Sequence, residues 1–470
     1  MKIRNPRTGE LDFELLIDTP ESIEDFASKL RLQQIKWVSR SVQNRAEVLL
    51  QFADKLEQEK ESLLNALSLD TGRRRLVEIE FAGTLGLIRG RCYTAPGQLI
   101  DQEKRPSVTN PSVQILQQSI PYPLVGVISP WNFPLLLALI DAIPALLAGC
   151  AVLLKPSEVT PRFLDPLEKA ILALPDLAAV LKIVRGGIEA GQAVVNQADV
   201  ICFTGSVSTG RKIAVRCAER FIPAFLELGG KDPGIVMADA DLEVAADAIM
   251  RSAVGATGQA CQSLERIYVD ASIADTLIKV LIKKCEALEY NDSYERGGTL
   301  GPIILDTQAI KIQNQIDEAV QKGAIIRFGG KSEKINGGIW FQPTILTNVS
   351  HDMEIMTEET FGPIIPIMTF ENIDQAILLA NESKYGLSGS VFSRNEEAAI
   401  QVAKKIEVGA VSINDGSLTN KVFDAEKNAF KLSGLYGSRM GKEGLTRFLK
   451  TKALLLQRDH PESIHSQDET

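Results

Sequence analysis

Residues 199–217 read DVICFTGSVSTGRKIAVRC, and this stretch decides the fold. An apolar run that is β-branched in part ends on Gly205 and Ser206, and a segment with helical spacing follows at once. A strand passing through a glycine turn into a helix is the repeating unit of a parallel sheet with crossover helices. The turn GSVSTG (205–210) puts unpaired N–H groups and the positive end of a helix dipole in one place, which suits a pyrophosphate. A plain tight turn explains the same residues equally well. The three-glycine fingerprint is incomplete, and no acidic residue follows about 20 positions later as the standard dinucleotide fold requires.

Working outward, the same alternation continues on both sides. Upstream lie the strand CAVLLKPSE (150–158), a helix around 161–174, the strand LKIVRGG (181–187) and another helix. Before them come β-branched text from 111 to 128, the segment PWNFP (130–134) and a long apolar helix. Residues 41–70 carry Val42, Ala46, Leu49, Leu50, Ala53, Leu56, Leu63, Leu64 and Leu67 at helical spacing. Downstream, after LELGGK (226–231), the pattern restarts: a helix near 241–254, the strand ERIYVD, a helix near 273–288, then the strands IIPIMTF and GAVSIN. That restart predicts a second α/β domain with a boundary near residue 230.

Bulk properties narrow the classes. At 470 residues the chain is too long for one simple core. Apolar residues make up 45% and charged residues 24%, the balance of an ordinary globular protein. A formal charge of −9 argues against broad binding of nucleic acid or anionic membranes. The opening MKIRNPRTGELDFE lacks the apolar run of a signal peptide. The apolar stretches 133–140 and 142–154 are split by Asp141 and interrupted by Pro134 and Pro144, so each is too short to span a membrane. The six cysteines (92, 150, 202, 217, 261, 285) show no paired spacing, which fits a reducing cytoplasm and excludes a zinc cage of the usual spacing. Only three histidines are present, and two of them, His460 and His465, lie in the polar tail. A Ser-His-Asp hydrolase, a histidine-based hydride-transfer enzyme and a histidine-ligated metal centre all need more; no metal site is expected.

Chemistry concentrates at Cys261, in GATGQACQS (255–263), and at Glu227, in LELGGK. A thiol can attack an electrophilic carbon, and a carboxylate can activate the water that later hydrolyses the covalent product. Glycines around both allow close approach. The other five cysteines read as packing residues, since Cys150 and Cys202 sit inside apolar strand-like runs. In KPSE, Lys155 and Glu158 close a buried strand where ligands gather in open α/β sheets. A carboxylate there accepts both ribose hydroxyls and repels a 2′-phosphate; an exposed polar turn is the plain alternative. In PWNFP, the amide of Asn132 is a candidate oxyanion donor, or else the N-cap of the following helix.

Taken together, PWNFP, KPSE, FTGSVSTG, LELGGK, GQAC and EETFGP occur in the order and approximate spacing of the aldehyde dehydrogenase superfamily, and the chain resembles that family over nearly its whole length. The resemblance implies a Rossmann-type parallel-sheet cofactor domain (1–106 and 122–230) and an α/β catalytic domain (231–445). It further implies oligomerisation strands (107–121 and 446–458) and a flexible tail (459–470). Cys261 then corresponds to the nucleophile and Glu227 to the general base, with Asn132 and the Cys261 backbone N–H holding the oxyanion. Lys155 and Glu158 correspond to ligands of the adenine-side ribose, and Ser206 faces the pyrophosphate. Gly205 leaves room for the nicotinamide ring, and Trp131, Glu359 and Phe361 complete the cofactor contacts. The implied reaction is oxidation of an aldehyde to a carboxylic acid with NAD, or NADP, through a cysteine thiohemiacetal and thioester. The alternatives are a coenzyme A-acylating dehydrogenase, disfavoured by the presence of Glu227, and a non-catalytic cofactor-binding protein of the same fold.

Further expectations attach to this resemblance. Phe133, Leu137 and Ile140 form an apolar pocket wall, favouring an apolar aldehyde, although Lys421 and Lys427 in the loop 412–430 offer a partner for a carboxylate. Arg185 is positioned to attract a 2′-phosphate. Asp141 and Lys450 stand where many members carry lysine and glutamate, and are expected to form a charge-swapped pair tuning Glu227. The implied partners are copies of the chain itself, as a homodimer or homotetramer.

Overall fold

The strand and helix expected on either side of Gly205 occur at Val200–Thr204 and Val207–Glu219. The computed structural model describes residues 1–100, 103–291 and 298–461; the end of the expected tail, 462–470, lies outside the described residues. Around that strand a six-stranded sheet runs in the order Gly434–Leu435, Ala224–Glu227, Val200–Thr204, Leu124–Ile128, Ala151–Lys155, Leu181–Ile183. All neighbours are parallel except the first pair. The chain moves outward from Leu124–Ile128 on one side and then returns to lay Val200–Thr204 on the other. Such a reversal opens a crevice beyond the carboxyl ends of the two central strands.

Capping and composition explain the flanking helices. The expected helical region 41–70 is two helices, Val42–Gln58 and Lys60–Thr71, the first begun by the Ser41 hydroxyl accepting from Asn44 N–H. Leu49, Phe52, Ala53, Leu56, Leu63, Leu64 and Leu67 all turn into the core. The apolar helix Pro134–Ala148 is buried almost throughout and stops at Gly149, whose φ of 102° few other residues would adopt. Its start is held by Glu80, which accepts from the N–H groups of Leu135 (2.9 Å) and Leu136 (3.1 Å). This removes the expected alternative that Asn132 caps the helix: the N-cap position is Phe133, and no side chain of that segment caps it.

A second sheet of seven strands follows, in the order Ile325–Phe328, Thr344–Thr347, Ile364–Phe370, Leu264–Asp270, Asp232–Val236, Ser388–Phe392, Ala410–Ile413. Only its first pair is antiparallel. Glu227 ends a strand of the first sheet and Asp232 begins one of the second, so LELGGK is the crossing between them. The crossing is not the chain's last passage. Gly434–Leu435 pairs with Glu227 and Leu226, and Leu445 joins the first core, so this part of the segment 231–445 returns to the first lobe. The strand Leu449–Gln457 then pairs antiparallel with Val113–Pro121 along its full length. Among the described residues no helix is long and apolar enough to cross a membrane.

Candidate active site

The crevice at the strand reversal is a cavity of about 610 Å³. Trp131, Lys155, Glu158, Gly205 and Ser206 all line it, together with Phe203, Thr209 and Lys212. Ser206 is the N-cap of the helix Val207–Glu219, its hydroxyl accepting from Thr209 N–H at 3.3 Å. The first turn of the helix therefore faces the cavity with open N–H groups. Lys155 Nζ, on a buried side chain, lies 3.0 Å from Glu158 Oε2, which fixes the carboxylate at the cavity wall beside Gly187. These features fit a dinucleotide: a helix start for the pyrophosphate and an anchored carboxylate for a ribose. Gly205 has a second constraint, because a Cβ there would come within 2.5 Å of the Phe203 ring. The space over this glycine is filled by Phe203.

Arg185 does not serve the cavity. Its guanidinium is held by Glu168 and Asp165, each at 2.9 Å, and it is not among the lining residues. Lys212 does line the cavity, as do Lys155 and Arg216, and it was not foreseen. Its signal was available: it stands three residues after Thr209 on the helix that Ser206 caps, on the same face.

Glu359 and Phe361 are not among the residues lining the cavity, but Phe361 packs behind its wall. The Phe361 ring meets Trp131 edge-on at 5.4 Å, bringing the second lobe to the cavity wall. Glu359 packs against the Gly229–Gly230 backbone, accepting from Gly230 N–H at 3.2 Å, and burial pushes its carboxyl up to about 7. A Cβ on Gly229 would fall 2.6 Å from this carboxylate, so the first glycine of LGG makes room for it. Glu265 holds the segment, accepting from Thr360 N–H and Phe361 N–H at 2.7 Å each and pairing with buried Lys231 at 2.8 Å. A carboxylate opening the apolar strand ERIYVD was the sequence cue for Glu265.

Cys261 follows a strained turn. Ala256, Thr257 and Gly258 have φ of 56°, 54° and 69°, a left-handed run that costs roughly 1–3 kcal/mol for each non-glycine residue. Hydrogen bonds over-determine it. Thr257 Oγ1 donates to Gly301 O (3.0 Å) and accepts from Gly301 N–H (3.1 Å). The fully buried Gln259 donates to Pro302 O (3.2 Å) and accepts from Ile304 N–H (3.0 Å). Asn132 donates one amide hydrogen to Gln259 O (3.0 Å), leaving its second free two residues before the sulfur. Cys261 itself is partly exposed, while the other five cysteines are buried.

LELGGK brings the carboxylate to the thiol. A Cβ on Gly230 would come within 2.5 Å of Cys261 O, so glycine is what lets the two segments touch. Desolvation pushes the Cys261 thiol up to about 12; Lys427 acts against that rise, while Glu227, Glu359 and Asp232 add to it.

The expected pairing of Asp141 with Lys450 is not formed. Lys450 is exposed on the strand Leu449–Gln457, its ammonium 4.8 Å from the centre of the Tyr122 ring. Asp141 is buried and clamped by Arg439 (2.6 Å) and by Arg447. These guanidiniums outweigh burial and hold its carboxyl below the usual range. Arg439 also donates to Thr204 Oγ1 (2.6 Å), and its Nε, which has no hydrogen-bond partner, lies 3.7 Å from Glu227 Oε1. Arg439, missed in the sequence, is thus the charge next to Glu227. Of the expected apolar wall, Ile140 packs with Leu87 and Met440, and Leu136, Leu137 and Phe423 lie against them. Phe133 is partly exposed at the head of the same helix.

Comparison with known proteins agrees with this geometry. The profile described as the aldehyde dehydrogenase family matches residues 1–454. The solved structure of PutA from Anabaena variabilis, which carries the name of an aldehyde dehydrogenase, is 46% identical, with a TM-score of 0.96 over 99% of both chains. The lactaldehyde dehydrogenase of Escherichia coli is 30% identical, with a TM-score of 0.92 over 97% of this chain and 95% of its own. The betaine aldehyde dehydrogenase of Atriplex hortensis chloroplasts is 33% identical over 96% of this chain and 91% of its own. The chain belongs to the aldehyde dehydrogenase family. Its reaction class is oxidation of an aldehyde to a carboxylic acid with NAD(P).

Proposed function

We propose that Cys261 and Glu227 divide this oxidation into two steps on one carbon. The Cys261 sulfur adds to the aldehyde carbonyl, giving a tetrahedral thiohemiacetal. The free N–H of Asn132 and the backbone N–H of Cys261 hold the developing oxyanion, a donor type worth roughly 3–4 kcal/mol of barrier. When bound in the crevice, NAD(P)+ supplies the acceptor for the hydride that leaves the substrate carbon. Glu227 then takes a proton from water, which attacks the thioester on Cys261 and releases the acid. Arg439 acts as a positioning residue: with its Nη2 tied to Asp141 and Thr204, its Nε steers the Glu227 carboxylate.

Glu158, anchored by Lys155, makes NAD+ the preferred cofactor, since a 2′-phosphate would meet a carboxylate. Lys212 is the cation on which NADP+ would rely. The substrate's chain lies against the apolar wall of Phe133, Leu137 and Ile140. The ribbon Val113–Pro121 with Leu449–Gln457 presents exposed Leu454, Leu455 and Leu456, which supports burial of that strand in a homodimer or homotetramer. Six free cysteines support a cytoplasmic setting.

The observation that carries the assignment is the contact at Gly230, which seats the Cys261 turn against the strand end bearing Glu227. Rapid-quench kinetics of Glu227→Gln tests it. The variant is expected to give a stoichiometric burst of NADH and then stall as the thioester. A variant that turns over at the wild-type rate, or wild-type enzyme that forms acyl-CoA in place of free acid when CoA is added, overturns it.

A further inference from the structure

Lys427 stands apart from Lys231 and Lys155, the two buried lysines of the site. Lys231 is matched by Glu265 at 2.8 Å and Lys155 by Glu158 at 3.0 Å. The Lys427 ammonium is buried with no hydrogen-bond partner, and among the described residues no carboxylate lies within ion-pair distance of it. An unpaired buried ammonium costs several kcal/mol, which a resident anion would offset. Desolvation depresses its basicity, while Glu227, Cys261 and Asp232 act to retain its proton, so it sits in the electrostatic field of the nucleophile and the base.

The loop that carries it is built over the reaction centre. Thr419 Oγ1 donates to Gln262 Oε1 at 2.5 Å, one residue past the nucleophile. Phe423 lies on the apolar wall formed by Ile140, Leu87 and Met440. Lys427 N–H donates to Ser438 Oγ at 3.0 Å, one residue before Arg439. The loop thus presents an apolar surface at Phe423 and, four residues on, a cation at Lys427 whose charge acts on Cys261. Lys421, in contrast, is exposed and faces Asp415 at 3.8 Å. Glu227 cannot serve as the missing partner, because its carboxylate must stay free for water.

We propose that Lys427 is a specificity-determining residue that binds a carboxylate on the substrate, so that the enzyme acts on oxo acids, aldehydes with an apolar stem and a distal carboxylate. This deepens the active-site reading above and rests on it. The Lys427 ammonium donates to the carboxylate while the stem lies against Leu137, Ile140 and Phe423.

Matched pairs test it: hexanal against 6-oxohexanoate, and butanal against 4-oxobutanoate, each with the full-length enzyme and NAD+. For at least one pair the oxo acid is expected to have the higher kcat/KM by about tenfold or more, the size of one charge-assisted hydrogen bond. Lys427→Met is expected to bring that ratio to near one through KM for the oxo acid, and Lys427→Arg to keep it above one. A wild-type enzyme without preference in either pair overturns the anchor. So does a Lys427→Met variant that loses both members of a pair equally while the alkylation pH profile of Cys261 moves upward, the mark of a lysine serving the thiol. Failure of wild-type enzyme on all four substrates would instead strike the active-site assignment.

Discussion

Two glycine-bearing turns deliver the two halves of the chemistry, and they are built on opposite principles. The turn at Gly205–Ser206, proposed to hold the pyrophosphate, is relaxed: an ordinary N-cap opens a regular helix, leaving N–H groups open at its start. The nucleophile turn at Ala256–Gly258 is strained, with three successive left-handed residues braced by Thr257 and Gln259. Binding a flexible, solvated pyrophosphate needs only a supply of donors. Aiming one sulfur at one carbon needs a backbone that has a single place to go, and the bracing bonds hold it there.

That contrast can be broken by experiment, the largest effect first. The Cys261 thiol, held up to about 12, should react with iodoacetamide roughly a thousandfold more slowly at pH 7.5 than an unperturbed thiol of pKa ~8.5. Because only the thiolate reacts, the rate should climb about tenfold per pH unit with no plateau below pH ~11, and adding NAD+ should shift the profile downward. A plateau near pH 8 in the absence of cofactor would show that the turn does not withhold water from the sulfur. Gln259→Ala leaves Ile304 N–H and Pro302 O unpaired and should cost about 3 kcal/mol in denaturant unfolding, with kcat falling more than stability alone explains. Ser206→Ala removes only a cap, about 1 kcal/mol, and should raise KM for NAD+ a few-fold with kcat little changed. Ala256→Gly relieves a left-handed alanine and should raise stability by ~0.5–1 kcal/mol while lowering kcat. If it stabilises without touching kcat, the strain has no role in aiming.

The parts of this architecture legible in the sequence were those encoded locally. A strand, a glycine pair and a helix are neighbours in the chain, so the GSVSTG turn and its sheet could be read from spacing. Cys261 stood out among six cysteines because its neighbours are small, whereas Cys150 and Cys202 sit in apolar runs. Arg439 could not be found this way. Its partners Asp141 and Thr204 come from distant parts of the chain, and nothing in SRMGK marks an arginine that faces a carboxylate. The Asp141–Lys450 pairing failed for a related reason. A family position fixes where a Cα lies, but the direction of a side chain on a strand alternates residue by residue, and Lys450 points to Tyr122. The return of Gly434–Leu435 to the first sheet was likewise hidden, because a two-residue edge strand carries too little pattern to read.

The shortness of the crossing has a practical corollary. With Glu227 closing one sheet and Asp232 opening the other, any shear between the lobes is transmitted within a few residues to the gap between base and sulfur. Recombined enzymes that take their halves from different relatives should therefore inherit 226–232 and the Cys261 turn from a single parent. A seam placed between them would leave two sound halves out of alignment.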